Sequence, residues 1–314
     1  MKYSDSFGKK SSKILLGTAY FGDTISESEA FDIMDTFGEY GGNHIDTARL
    51  YANGEAEKVF GKWLESRKPK DIIVSTKGGY PNDKTPDIMR ISEEEIRFDL
   101  ENSLRALNLD CVDFYWLHRD DEKRSVEEII DYLNDFVKEG KIKRFGASNW
   151  TTERIIKANE YAKKSGKKGF SASQIRFSPA HLVDGGDARS LVTMDFKSFE
   201  IYKTLGIPVA AYASQAKGFF SKMADKGVDS LTPKSRDRYY SEENLRRLDL
   251  IEALSGKYNI SVASTVCALL TSITSPDVFP IIGGSRKEQI ADSLRGADAV
   301  IENKEIKDIL EFNI

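Results

Sequence analysis

Two cysteines, three histidines and eight prolines are all that 314 residues hold of these types. Cys111 and Cys267 stand far apart, each inside an apolar run, which argues against a disulfide framework and for buried thiols in a reducing compartment; a cytoplasmic location is expected. His44, His118 and His181 fall in unrelated contexts without a second ligand at metal spacing, so no metal is expected. No stretch approaches 18 uninterrupted apolar residues, and Met1 to Lys13 lacks the apolar core of a signal peptide, which argues against spanning or crossing a membrane. The 46 basic and 50 acidic residues leave a net charge of -4 and form no block of one sign, which argues against a nucleic-acid partner or an anionic membrane. Among 23 glycines there is no Gly-x-Gly and no Walker sequence, so the dinucleotide fingerprint of the doubly wound fold is absent. With no internal repeat and no Pro-rich or Ser-rich linker, residues 1–314 read as one domain.

What the chain does contain is an alternation of short β-branched or aromatic runs with helical patterns. Strands are predicted near 13–18, 43–46, 71–77, 112–118, 142–148, 171–175, 207–213 and 278–283. Eight such units in one chain of this length fit an α/β fold of the (β/α)8 TIM-barrel type, with its active site at the C-terminal face of the strands. Ser26-x-x-Glu29, Ser92-x-x-Glu95 and Ser125-x-x-Glu128 are predicted capping boxes, and Gly140 is a predicted helix stop. Residues 177–193 and 218–240 read as long irregular insertions after the sixth and seventh strands.

In a barrel the strand ends converge on one mouth, and here they are polar: Asp46, Lys77, His118, Ser148 with Asn149, Gln174 and Tyr212 close six strands in succession. Singly each has an ordinary structural role, as a helix cap, a solvated cation or a satisfied ring. Six in a row point to a site.

The run Gly42-Asn43-His44-Ile45-Asp46-Thr47-Ala48-Arg49-Leu50-Tyr51-Ala52-Asn53-Gly54-Glu55-Ala56-Glu57 closely resembles the signature of the aldo-keto reductases. Val74-Ser75-Thr76-Lys77, Asp113-Phe114-Tyr115-Trp116-Leu117-His118 and Gly146-Ala147-Ser148-Asn149-Trp150 resemble that family's later motifs in the same order, and the likeness runs from about Leu16 to Leu294. The resemblance implies an NADP-dependent oxidoreductase that reduces an aldehyde or ketone to the alcohol by hydride transfer, with Asp46, Tyr51, Lys77 and His118 as the catalytic four. The chemistry is sensible on its own terms. A free phenol ionises near pH 10 and is a poor acid at neutrality, but an ammonium within about 4–6 Å favours the ionised form. Lys77, held charged by Asp46, would ease the proton off Tyr51, while His118 would orient the carbonyl.

For the cofactor, the loops after strands seven and eight are the barrel's phosphate site. Ser214-Gln215-Ala216-Lys217-Gly218 and Gly283-Gly284-Ser285-Arg286 occupy them. There Ser214, Gln215, Lys217, Gly218 and Gly283 would follow the phosphates, and by resemblance Ser285, Arg286, Gln289 and Ser293 would grip the adenosine end. Ser148, Asn149 and Gln174 would bind the nicotinamide amide, Tyr212 would stack on the ring, and Gly17, Thr18, Tyr20 and Asp46 would line its edge. Arg286 and Lys287 put cations where a 2′-phosphate would lie, with no carboxylate placed for a free ribose hydroxyl, which favours NADPH over NADH. The chain departs from the family at Ala52 (commonly Gly), at Ala213-Ser214-Gln215 (commonly Ser-Pro-Leu) and at Ser293 (commonly Asn).

Tyr20, Phe21, Tyr80, Trp116, Trp150, Phe219 and Phe220 are candidate walls of an apolar pocket for a small carbonyl compound. Two alternatives stay open at this level: a nicotinamide-binding redox sensor with little turnover, and a lyase forming a Schiff base on Lys77. The sequence carries no trace of the oligomeric state; a monomer is compatible with it.

Overall fold

The chain begins with a small antiparallel pair, β1 (Tyr3–Ser4) and β2 (Ser11–Ser12), and then alternates strand and helix. Eight parallel strands follow: β3 (Leu15–Gly17), β4 (His44–Asp46), β5 (Ile73–Gly78), β6 (Val112–Leu117), β7 (Ile142–Ser148), β8 (Ser173–Arg176), β9 (Val209–Tyr212) and β10 (Val278–Ile282). Each pairs with the next and β10 pairs back onto β3, so the sheet closes as a (β/α)8 barrel. The computed structural model describes residues 1–82, 85–183 and 191–311.

Six helices answer the first six barrel strands in turn: α1 (Glu27–Glu39), α2 (Glu55–Arg67), α3 (Glu93–Leu107), α4 (Val126–Lys138), α5 (Thr152–Lys164) and α6 (Phe196–Leu205). After β9 come α7 (Phe219–Lys226), α8 (Pro233–Tyr239), α9 (Glu242–Tyr258) and α10 (Val262–Ser272); after β10 come α11 (Lys287–Arg295) and α12 (Asn303–Leu310). The helices are amphipathic at the helical period. In α4, Val126, Ile129, Ile130, Leu133 and Phe136 are buried three and four positions apart, forming one stripe against the barrel. Among the described residues no helix is long and apolar enough to cross a membrane.

Ser26 and Ser92 cap α1 and α3 with full capping boxes. The third box is only half made: Ser125 accepts from the Glu128 amide, but the Glu128 carboxylate takes Arg124 at 2.7 Å instead of reaching back. Gly140, at φ 75°, ends α4 as expected, with its N–H on Val137 O and the next N–H, Lys141, on Phe136 O, the paired bonds of a Schellman stop. Residues 218–240 are not irregular, since α7 and α8 occupy them. Of the insertion expected at 177–193, residues 184–190 lie outside the described residues. Cys267 is buried, but Cys111 is only half-buried; both are free.

Inside the barrel, Leu15, Phe114, Trp116, Ala172, Ala210 and Phe279 pack into one cluster, the alanines making room for the large rings. Phe7, from the β1–β2 loop, stands edge-on to Phe279 at 4.8 Å, to His44 at 4.9 Å and to Phe114 at 5.2 Å between ring centroids, and so closes the floor at the N-terminal ends of the strands.

Candidate active site

Asp46, Thr47 and Tyr51 meet around one buried ammonium, that of Lys77. Lys77 Nζ lies 2.5 Å from Asp46 Oδ2, 2.8 Å from the Thr47 carbonyl and 3.2 Å from the Tyr51 hydroxyl, which uses its three donors. The other Asp46 oxygen accepts from Ser75 Oγ at 2.8 Å and from Gln174 Nε2 at 3.3 Å. Ser75 Oγ in turn meets His44 Nε2 at 3.2 Å, and His44 Nδ1 meets Ser11 Oγ at 3.0 Å, so a chain of contacts runs from the floor hairpin to the carboxylate. Lys77 is fully buried, and the attraction of Asp46 and Tyr51 overcomes its burial to raise its pKa above the ordinary lysine value.

Tyr51 starts a tight turn, Tyr51–Gly54, between β4 and α2, in which Ala52 and Asn53 are left-handed at φ 48° and 54°. Ala52 therefore holds a conformation that suits glycine, the residue the resemblance would place there. Burial raises the Tyr51 phenol above its ordinary value and outweighs the opposing pull of Lys77. Lys77 acts to ease ionisation as expected, but burial outweighs it, so Tyr51 rests as a protonated hydroxyl with a cation beside its oxygen.

His118 follows β6, and its ring stands edge-on to Tyr51 with centroids 6.0 Å apart and packs against Tyr80 at 5.0 Å. Burial, then the Lys77 and Arg119 charges, hold its pKa well below the usual histidine range, so the ring is neutral at pH 7. Its buried Nδ1 has no hydrogen-bond partner among the described residues. Arg119 sits against the same ring cluster, 4.7 Å above Tyr80, a residue that sequence reasoning missed because nothing in its spacing separates it from a solvated arginine.

A cavity of about 790 Å³ begins at this cluster and runs toward the loops after β9 and β10. Gly17, Tyr20, Asp46, Tyr51, His118, Ser148, Asn149, Gln174 and Tyr212 line its inner end, and Ser214, Gln215, Lys217, Gly218, Gly283, Ser285, Gln289 and Ser293 its outer end. The loop after β9 is bent tightly, with Ala213, Ala216 and Lys217 at φ 52°, 48° and 56° and Gly218 at 75°. Gln215 Nε2 reaches Ser293 Oγ at 3.0 Å, so the loop after β9 touches α11, and Gln289 Oε1 accepts from the Ser285 amide at 2.8 Å.

Several sequence expectations change here. Thr18 does not line the cavity: it is fully buried, its N–H bonded to Asp46 O at 3.1 Å. Asn149 lines it but is internally satisfied, with Oδ1 taking Tyr212 Oη at 2.7 Å and Val192 N at 3.3 Å while Nδ2 faces Ser148 Oγ at 3.1 Å and His118 O at 3.4 Å. Arg286 is exposed at the N-cap of α11 and outside the cavity lining, and Lys287 is turned to Asp32 of α1 at 3.1 Å. A carboxylate absent from the sequence expectation, Asp292, is in the lining. Of the candidate aromatic walls only Tyr20 and Phe21 line the cavity; Trp116, Trp150, Phe219 and Phe220 are core, and Tyr80 backs His118 and Arg119. The short stretch from Gly17 to Phe21 supplies its near wall.

Comparison with known proteins identifies the family and the fold. The model of the aldo/keto reductase family matches residues 13–314. Norsolorinic acid reductase A of Aspergillus parasiticus is 27% identical over 326 residues, covering 98% of this chain and 79% of its own. An aryl-alcohol dehydrogenase of Pestalotiopsis microspora is 26% identical over 289 residues, covering 89% of this chain and 71% of its own. Among solved structures, an aldo-keto reductase of Klebsiella pneumoniae in complex with NADPH shares the fold, with a TM-score of 0.71 at 21% identity over 96% of this chain and 90% of that one.

Proposed function

The chain belongs to the aldo/keto reductase family, and on that premise we propose that it reduces an aldehyde or ketone to the alcohol with NADPH, Tyr51 giving the proton. The observation that carries this reading is the buried contact of Lys77 with both Asp46 and Tyr51.

The cavity suits such a cofactor. Its volume of about 790 Å³ lies within the range of about 300–1,000 Å³ common for cofactor and ligand pockets. With Asn149 satisfied by its neighbours, Ser148 Oγ and Gln174 are the groups that would hold the carboxamide. The Tyr212 ring would back the nicotinamide, fixed by its bond to Asn149. Lys217, Gly218 and Gly283 would follow the pyrophosphate, while Ser285, Gln289 and Ser293 would take the adenosine end at the first turn of α11. Arg286, exposed at that N-cap, is the cation free of ion pairs among the described residues that would reach a 2′-phosphate, and Lys287 would not.

When bound, the reduced nicotinamide supplies a hydride equivalent to the carbonyl carbon. The protein's part is the proton and the polarisation. A carbonyl oxygen placed between Tyr51 and His118 would accept from the Tyr51 hydroxyl and from the neutral His118 ring. As negative charge grows on that oxygen, the Tyr51 proton moves to it, and the phenolate left behind faces Lys77 Nζ at 3.2 Å. Lys77 stays charged because Asp46 faces it. Asp46 is held by Ser75 and Gln174, so the set is arranged before substrate arrives.

The raised pKa of Lys77 speaks against the Schiff-base alternative, which needs a neutral amine. Fluorescence titration with NADPH and NADH, followed by a panel of aldehydes while the reduced-nicotinamide absorbance is watched, tests the proposal. Selective NADPH binding with substrate-dependent loss of absorbance supports it. Tight binding without turnover of any aldehyde would move the protein to the sensor alternative, and no binding of either nucleotide would overturn both. The reading of residues 1–314 as one domain in a reducing compartment goes with the proposal.

A further inference from the structure

Arg119 is in an unusual position for a guanidinium. It follows His118 directly, lines the cavity beside Tyr51, and is only 8% exposed. Among the described residues its guanidinium makes one hydrogen bond, from Nη1 to the His118 carbonyl at 2.9 Å, and it lies over the Tyr80 ring. Four of its five N–H donors make no hydrogen bond among the described residues. No carboxylate there pairs with it either. Neighbouring Asp120 is clamped by Arg154 at 2.9 and 3.0 Å, and Asp46 is committed to Lys77.

A nearly buried cation without a counter-ion is expensive to maintain, and such groups are paired or bind something charged. Scaffolding does not require the charge, since a neutral amide would serve the His118 carbonyl and pack on Tyr80 as well. The position is also held firmly. The Arg119 carbonyl accepts from the Nε1 of fully buried Trp150 at 3.1 Å, and Arg154, which clamps Asp120, stacks on that indole at 5.1 Å. Arg119 shares the inner cavity lining with Tyr51, His118 and Tyr212, so its guanidinium is within reach of whatever occupies that end.

We propose that Arg119 is a specificity-determining residue that receives a carboxylate on the substrate, so that the preferred substrates are oxo acids with an apolar or aromatic body. This rests on the reductase reading above. Phe21, Ile25 and Leu191 are among the apolar residues that line the same cavity and would face such a body. The carboxylate would supply the missing counter-charge through a forked pair of hydrogen bonds, and its distance from the carbonyl is short because Arg119 adjoins His118.

The test compares kcat/KM for phenylglyoxylate and for 2-, 3- and 4-carboxybenzaldehyde with that for their methyl esters, in wild type and R119Q with NADPH. The expected result is that at least one acid exceeds its ester tenfold or more in wild type and that this ratio falls at least tenfold in R119Q. In parallel, benzoate should raise the melting temperature of wild type and not of R119Q, and benzamide should raise neither. Acids no better than esters in wild type, or a preference that survives R119Q, would overturn the proposal. If no carbonyl compound is turned over, the reductase reading fails and the benzoate arm still decides whether Arg119 binds a carboxylate. If R119Q does not fold, as read by circular dichroism, the wild-type comparisons decide, and absence of selective stabilisation by benzoate overturns the inference.

Discussion

The hydroxyl of Tyr212, at the end of β9, donates to Asn149 Oδ1, just beyond β7, at 2.7 Å. The bond bridges over β8, whose Gln174 lines the same end of the cavity. Asn149 needs a left-handed backbone, φ 60°, to present that oxygen, and its amide holds Ser148 Oγ and the His118 carbonyl in return. Tyr212, Ser148 and His118, proposed as ring platform, amide partner and polarising group, are therefore tied through one asparagine side chain.

Tyr212→Phe keeps the ring and removes the tie. NADPH should bind several-fold more weakly, as expected for one neutral hydrogen bond of about 0.5–1.5 kcal/mol, whereas Tyr212→Ala should bind much more weakly still. Quenching of protein fluorescence by NADPH measures both. Equal losses in the two variants would show that the hydroxyl, not the ring face, makes the contact.

Tyr51→Phe should lower kcat by about 10² to 10⁴, the range for a placed general acid, and should leave the NADPH dissociation constant within a few-fold of wild type. Steady-state kinetics with any accepted aldehyde give the first quantity and nucleotide titration the second. Near-normal turnover would remove Tyr51 from the catalytic four.

Lys77→Met strands the Asp46 carboxylate in a fully buried setting. Breaking a buried pair by removing one partner costs about 3–5 kcal/mol, so urea unfolding at pH 7 should show a loss of that order along with loss of turnover. Lys77→Met with Asp46→Asn removes both charges and should recover part of the stability without recovering activity. A double variant no more stable than the single one would show that the ion pair is not what Lys77 contributes.

Stability should fall on mild acidification because of His44 and His118. Burial pushes the His44 ring from 6.5 down to about 4, and His118 is displaced in the same direction. Between those values the unfolded rings take up protons that the native ones refuse, so the unfolded state gains as pH falls through 6.5. For His44 alone the loss between pH 7.5 and 5 is about 2 kcal/mol. Urea unfolding at the two values checks it, and His44→Gln should reduce the difference, leaving the share that His118 carries. An unchanged slope in that variant would mean that His44 does not carry the effect.

Arg286→Ala should weaken NADPH binding by about 1.5–3 kcal/mol, the loss of a charge-assisted bond, with little change for NADH. Lys287→Ala should do neither, because its ammonium is turned to Asp32. Titration of the two variants with both nucleotides separates the cases; equal weakening of NADPH and NADH in Arg286→Ala would put the 2′-phosphate elsewhere.

The barrel and its mouth were readable because each rests on a local signal. Strand identity follows from short apolar runs, and in a barrel the strand ends gather at one mouth, so Asp46, Lys77, His118 and Tyr212 could be picked out as candidates from their positions. Side-chain direction beyond the strand end could not. Thr18 and Gly17 are sequence neighbours, yet one is buried behind Asp46 and the other lines the cavity. Arg286 and Arg119 are both single arginines beside a motif, one exposed and one buried, and only packing separates them. The bends at Ala52, Ala213, Ala216 and Lys217 were hidden because the chain holds left-handed backbone there without the glycines that would announce it. Helices α7 and α8 were missed where a glycine at each end of α7 and Pro233 at the start of α8 read as breaks.

The Phe7 stopper in the barrel floor makes the molecule a cul-de-sac. Whatever enters the inner end must come and go by the loop-lined mouth. Two guests sharing one doorway have to queue, and the one lodged deeper waits for the other to leave. A nucleotide laid along the cavity wall from His118 to Ser293 would be first in and last out, so traffic at the doorway, rather than chemistry at Tyr51, becomes a natural place for the rate of the whole cycle to be set.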